Sequence, residues 1–231
     1  MKTIGIIGGL SWHSSLQMYE YINRYVADKL GQYNNAKVVL VNVNLQEIFV
    51  TRLHEQEQVM LEGAKQVESA GCDFYMICSN TMHKHVPFLE SHISTPILHI
   101  ADATADEILK KGIKKIGLMG TRITMESDFY GGRFRSKGLE VLIPGETDRE
   151  FIDHVLYHET GIGIVNPDSA RRFYEIAQRL YDAGAEGIIL GCTEIGMLMQ
   201  QEHTEIPLFD TTIIHAETAA QMAIEEELSK K

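Results

Sequence analysis

The sequence predicts an α/β fold of two pseudo-symmetric halves, each a mostly parallel sheet flanked by helices, with an active site in the cleft between them. Three observations carry this expectation. Short apolar strands run into glycine turns, helices with four-residue apolar spacing lie between them, and the whole pattern then repeats.

Ile4-Gly5-Ile6-Ile7-Gly8-Gly9 reads as a buried strand entering a glycine turn. A helix from Ser14 to Leu30 follows, because Met18, Ile22, Val26 and Leu30 recur every four residues and Gly31 stops it. Lys37 to Val43 is a second strand, Glu57 to Ala70 a helix ending at Gly71, Phe74 to Cys78 a third strand and Pro96 to Ile100 a short fourth. Strands and helices alternating at this spacing predict parallel pairing with helices packed outside.

The second half repeats these signals. Ile4-Gly5 matches Ile116-Gly117, Ala70-Gly71 matches Ala183-Gly184, and Pro96 matches Pro207. The offsets are 116 − 4 = 112, 183 − 70 = 113 and 207 − 96 = 111. Three anchors in one order at nearly one offset predict a structural duplication. The boundaries are placed at 1–99 with 210–231, a C-terminal helix packing back on the first half, and at 100–209 for the second. Ligands of open α/β sheets bind beyond the carboxyl ends of the strands.

Composition narrows the function classes. A net charge of −11 argues against nucleic-acid binding, which needs a basic face. No apolar run approaches the ~20 residues of a membrane helix, and the N-terminus is too short in apolar residues for a signal-peptide core. Three cysteines, an odd number, then suggest reduced thiols and a cytoplasmic protein. Gly5, Gly8 and Gly9 do not form a dinucleotide fingerprint, and no serine sits in a G-x-S-x-G elbow. His83 and His85 with Cys78 lack a second ligand pair, so no metal site is expected.

The offset of 113 pairs Cys78 with Gly191, Ser79 with Cys192 and Asn80 with Thr193. Cys78-Ser79-Asn80-Thr81 is thus the internal counterpart of Gly191-Cys192-Thr193-Glu194, each just past a strand's carboxyl end. Each half offers one small acid/base side chain there. That symmetry suits racemisation, in which a proton leaves one face of Cα and returns to the other. Reacting atoms must approach to about 3–3.5 Å, which sets the two groups roughly 6–7 Å apart. A thiol of pKa ~8.5 can serve as thiolate or as thiol. Hydroxyl and amide donors after each base, from Asn80, Thr81 and Thr193, would stabilise charge on the substrate carboxylate.

At these residues the chain resembles the aspartate/glutamate racemase family. Ile77-Cys78-Ser79-Asn80-Thr81-Met82-His83 looks like its first signature and Leu190-Gly191-Cys192-Thr193-Glu194-Ile195 like its second. The likeness extends through Gly8-Gly9-Leu10-Ser11-Trp12, His99-Ile100-Ala101-Asp102-Ala103-Thr104, Gly120-Thr121-Arg122-Ile123-Thr124-Met125-Glu126 and Phe209-Asp210-Thr211. It implies no cofactor, an amino-acid substrate and commonly a homodimer. It also implies Cys192 and Ser79 as catalytic positions, with Gly9, Leu10, Arg52, Asn80, Thr81, Thr121, Thr193 and Glu194 around the substrate.

Two departures stand out. Two-base members carry cysteine immediately before the Asn; here that residue is Ser79, as in some broad-specificity members, and Cys78 lies one residue early. Strand alternation turns Cys78 away from Ser79, which gives it a core role. Members specific for acidic substrates hold them with an Arg in the first half and a Lys in the second. Arg52 falls at the first position, but Gly161 stands near the second. Two other readings remain open: a cysteine-dependent decarboxylase of the same superfamily and a non-catalytic amino-acid-binding protein.

Overall fold

The computed structural model describes residues 1–229. It contains seven strands: β1 (Thr3–Gly8), β2 (Lys37–Asn42), β3 (Phe74–Ile77), β4 (Lys115–Gly120), β5 (Glu140–Leu142), β6 (Ile188–Gly191) and β7 (Leu208–Asp210). The helices are α1 (Trp12–Leu30), α2 (Leu45–Val50), α3 (Leu53–Ser69), α4 (Val86–Glu90) and α5 (Ile100–Lys110). They continue with α6 (Arg122–Glu126), α7 (Asp128–Ser136), α8 (Glu146–His158), α9 (Pro167–Asp182) and α10 (Thr211–Leu228). Among the described residues no helix is long and apolar enough to cross a membrane.

The chain divides into two compact units, 1–100 with 212–231 and 101–211. The first carries a parallel sheet in the order β2-β1-β3, the second a parallel sheet in the order β5-β4-β6-β7. Where a strand was expected over Pro96 to Ile100, only Ile97 bridges to Tyr75. Tyr75 N–H donates to the Pro96 carbonyl and Leu98 N–H to the Tyr75 carbonyl, at 2.9 and 2.8 Å. The strand is cut short because Ile100 already begins α5, so the apolar run serves a helix start as well as a sheet edge. With Ile97 beside β3, the first sheet nonetheless has the same order as the second.

The duplication reaches the packing. A methyl group on Gly5 would lie 2.1 Å from Val67 Cγ1 of α3, and one on Gly117 would lie 3.1 Å from Leu180 Cδ1 of α9. Both glycines thus let a helix close onto the central strand of its sheet. Gly71 and Gly184 end those helices at φ +73° and +98°, a backbone conformation that glycine adopts without strain. The Asp73 carboxylate accepts from Thr3 N–H at 2.6 Å, and the Glu186 carboxylate from Lys115 N–H at 2.9 Å. Each acid fastens the start of a central strand. Apolar side chains fill the interior: Met18, Ile22 and Val26 of α1 and Met60, Ala64 and Val67 of α3 are fully buried, as are Phe173 and Ile176 of α9.

Candidate active site

Strand register sets the equivalences at the sheets' carboxyl ends. Ile7 pairs with Ile77 in the first sheet, and Met119 with Leu190 in the second. One residue on, Cys78 corresponds to Gly191; two residues on, Ser79 corresponds to Cys192.

In the first unit, β1 ends in Gly8-Gly9. Gly9 has φ +82°, and a Cβ there would lie 2.0 Å from the Val43 carbonyl oxygen, so only glycine fits. The Gly9 N–H donates to Ser15 Oγ at 2.9 Å, and that hydroxyl donates onward to the Ser11 carbonyl at 3.0 Å. Leu10 follows, buried at the mouth of α1, while Trp12 is 58 % exposed. At the end of β3, Cys78 is buried, and burial pushes its thiol up to about 12. That suits a core role and leaves it neutral.

Ser79 is partly exposed. Its Oγ accepts from Met82 N–H at 3.3 Å, at the start of the 3-10 turn Thr81–His85. Its carbonyl lies 2.6 Å from His83 Nδ1. A peptide carbonyl only accepts, so Nδ1 carries the proton. His83 Nε2, left as a lone pair, accepts from Ile100 N–H at 3.3 Å. This histidine, weighed in the sequence only as a metal ligand, therefore ties the Ser79 backbone to the start of α5. The His83 ring lies 4.4 Å from that of His99 and 5.8 Å from that of His215. Asn80 is buried beside it and Thr81 partly so.

Arg52 lies at the start of α3. It occupies the N-cap of that helix, its backbone N–H donates to Glu55 Oε2 at 2.8 Å, and its exposed guanidinium makes no ion pair among the described residues.

In the second unit, Gly120 and Gly191 pair at the ends of β4 and β6. A Cβ on Gly120 would lie 2.9 Å from the Gly191 oxygen, so only glycines allow the two strand ends to close. Thr121 follows Gly120 and caps α6, its Oγ1 accepting from Thr124 N–H at 3.3 Å. Cys192 follows Gly191 in extended conformation and precedes the 3-10 turn Thr193–Met197.

Cys192 is partly exposed at the surface of the unit. Its Sγ donates to Glu194 Oε2 at 3.0 Å, and Thr193 Oγ1 donates to the same oxygen at 2.6 Å. Burial, then the Glu194 charge and its hydrogen bond, raise the thiol well above its ordinary range. Backbone N–H groups of Glu194 and Thr193 act in the opposite sense, favouring thiolate. The Tyr130 and Tyr157 phenols lie within electrostatic reach of this sulfur, and burial raises both. No sequence motif announces either tyrosine. The turn Thr160–Ile162, which includes Gly161, packs against Thr193–Met197 and carries no cation.

Each unit therefore gathers its own predicted residues, Gly9, Leu10, Ser79, Asn80 and Thr81 in one and Thr121, Cys192, Thr193 and Glu194 in the other. Among the described residues no group of three or more His, Cys, Asp or Glu side chains could hold a metal ion.

The chain is similar to known proteins over most of its length. The model of the Asp/Glu/Hydantoin racemase family matches residues 7–219. The broad specificity amino-acid racemase RacX of Bacillus subtilis (strain 168) is 27% identical over 161 residues, 68% of either chain. The structure of a candidate Asp/Glu racemase from Yersinia pestis is 41% identical, covers 97% of this chain and 100% of its own, and superposes with a TM-score of 0.90. PH1733, an aspartate racemase homologue from Pyrococcus horikoshii OT3, is 30% identical over 96% of this chain and 99% of its own, with a TM-score of 0.86. The chain belongs to the Asp/Glu/Hydantoin racemase family.

Proposed function

We propose that this protein is a cofactor-independent amino-acid racemase in which Cys192 is the main base and Ser79 occupies the second base position. The observation that carries the reading is Cys192, a partly exposed thiol at the end of β6 in hydrogen-bonding contact with a carboxylate. The two side chains act on opposite faces of Cα. One removes the proton, and the carbanion, delocalised into the substrate carboxylate, regains a proton from the other side. Asn80, Thr81, Thr121 and Thr193, with the backbone at Gly9 and Leu10, hold the substrate's carboxylate and ammonium groups. Arg52 is available to a side-chain carboxylate, and broad specificity accords with the relative in Bacillus subtilis. The protein works as a cytoplasmic homodimer.

Chiral chromatography after incubation with each amino acid in each configuration tests this reading, which predicts appearance of the opposite enantiomer. The pairing of one thiol with one hydroxyl also suits a decarboxylase that needs a single protonating cysteine. Release of carbon dioxide without inversion would establish that reaction instead.

A further inference from the structure

The pairing of Cys192 with Glu194 bears on how the thiol becomes a base. A thiol that must take a proton from Cα has first to lose its own. In the free protein that proton points at Glu194 Oε2, 3.0 Å from Sγ. The same oxygen is fixed by Thr193 Oγ1 at 2.6 Å, so the carboxylate is held in place rather than swinging into solvent. Two backbone N–H groups, of Thr193 and Glu194, reach the sulfur and favour its anionic form. What keeps the proton on sulfur is burial together with the negative charge of Glu194.

We infer that Glu194 is the proton acceptor for Cys192, a positioning and proton-holding residue that acts through the thiol rather than on Cα. The inference rests on the racemase reading for its chemistry. The balance is closed: the S–H bond breaks and its proton forms an O–H bond on Glu194, leaving thiolate and a neutral carboxylic acid. The thiolate takes the Cα proton, S–H re-forms, and the C–H electron pair stays on the substrate as the carbanion. The Ser79 hydroxyl donates a proton to the opposite face. The proton held on Glu194 then returns to the Ser79 oxygen through solvent, restoring the start. Net charge around the sulfur and carboxylate is unchanged in the first step, so the exchange creates no new buried charge. Neutralising Glu194 also removes the repulsion that opposes the thiolate, while the two N–H donors remain. The Tyr130 and Tyr157 phenols lie within electrostatic reach of the same sulfur, and Asp153 within electrostatic reach of Tyr157.

The test uses Glu194→Gln and Glu194→Asp in the full chain. Alkylation of Cys192 by iodoacetamide is followed against pH by mass spectrometry of its peptide, and turnover is measured beside it. Removing a neighbouring charge should move the alkylation midpoint of Glu194→Gln down by about one pH unit. Its kcat should nevertheless fall roughly a hundredfold, the usual scale for losing a proton-transfer partner. Glu194→Asp should restore part of the turnover and return the midpoint upward. An unchanged alkylation profile in Glu194→Gln would overturn the inference. So would a lowered midpoint with turnover maintained, which would make Glu194 a suppressor of the thiolate and no proton acceptor. A shifted midpoint in a protein whose wild type inverts no amino acid would support the pairing and remove the racemase reading alone.

Discussion

The loops after β3 and after β6 occupy the same register in their sheets, yet their polar groups are wired in opposite senses. After β3, the Ser79 carbonyl is held by a neutral histidine and its hydroxyl accepts from a backbone N–H. After β6, the Cys192 thiol donates a hydrogen bond to the Glu194 carboxylate. The scaffold around them has diverged far less. Gly5 and Gly117, Gly71 and Gly184, and Asp73 and Glu186 do matching work in the two units. A duplicated fold thus keeps the residues that close its sheets and lets the strand-end chemistry drift. A proton-transfer site made from such a pair need not have two equal ends.

The largest effect expected from this asymmetry is at Cys192. Cys192→Ser should lower turnover by about 10²- to 10⁴-fold while the melting temperature stays near that of the wild type. Chiral chromatography and thermal unfolding of the same preparation check both halves of that statement, and near-normal turnover would sink the mechanism.

Acid should act on the first unit through its buried histidines. His85 and His215 are both buried and held neutral, with burial lowering each to about 4 from the usual 6.5. His215 Nε2 donates to the Leu98 carbonyl at 2.8 Å, which leaves Nδ1 a buried lone pair with no partner. Above pH 6.5 neither the folded nor the unfolded chain protonates these rings, so their full contribution is present. Between pH 6.5 and about 4 only the unfolded chain takes up the protons, and stability falls. For His215 the loss is up to about 3 kcal/mol, on the order of 1.4 kcal/mol per pH unit. Urea unfolding at stepped pH should show this slope, and His215→Gln should flatten it.

Ser79→Cys addresses the asymmetry itself. If Cys192 is the only thiol base, one enantiomer should exchange its α-proton into deuterated water faster than the other. Restoring a thiol should raise the slow direction several-fold to about tenfold and change the fast one less. Equal wild-type exchange from both enantiomers would show that Ser79, or water beside it, is already a full second base.

The smallest effect belongs to Arg52. Its guanidinium is exposed, so solvent screens it, and Arg52→Ala should reduce kcat/KM only a few-fold. The loss should be greater for aspartate than for alanine, as competing substrates would reveal; equal losses would exclude it from setting specificity.

Much of this architecture is legible in the sequence because it depends on local rules. Apolar strands ending in glycine gave β1, β4 and β6, the apolar run from Phe74 to Cys78 gave β3, and the four-residue spacing from Met18 to Leu30 gave α1. Pro96 to Ile100 misled because an apolar run at a sheet edge has the same composition as a helix start. Arg52 could be matched to a family position, whereas its exposure at the N-cap of α3 depends on tertiary packing. His83 had a readable signal, four residues after Ser79 in a tight turn, but its tautomer follows only once Ile100 N–H is found on its other nitrogen. Tyr130 of α7 and Tyr157 of α8 lie within electrostatic reach of Cys192, and no motif records the placement of those helices.

Helix α10, the last of the chain, lies almost wholly in the first unit. Its residues from Thr212 onward are part of the first unit, where Ala216, Ala219, Ala220, Ala223 and Ile224 are buried. Lys2 N–H donates to the Ala223 carbonyl at 2.9 Å, and the terminal ammonium of Met1 pairs with Glu227 at 2.6 Å. The unit that leaves the ribosome first is therefore the one that finishes last. Its sheet must wait, with the α10 surface uncovered, while the second unit is synthesised whole from Ala101 to Thr211. The birth order of the two units is thus the reverse of their order of completion.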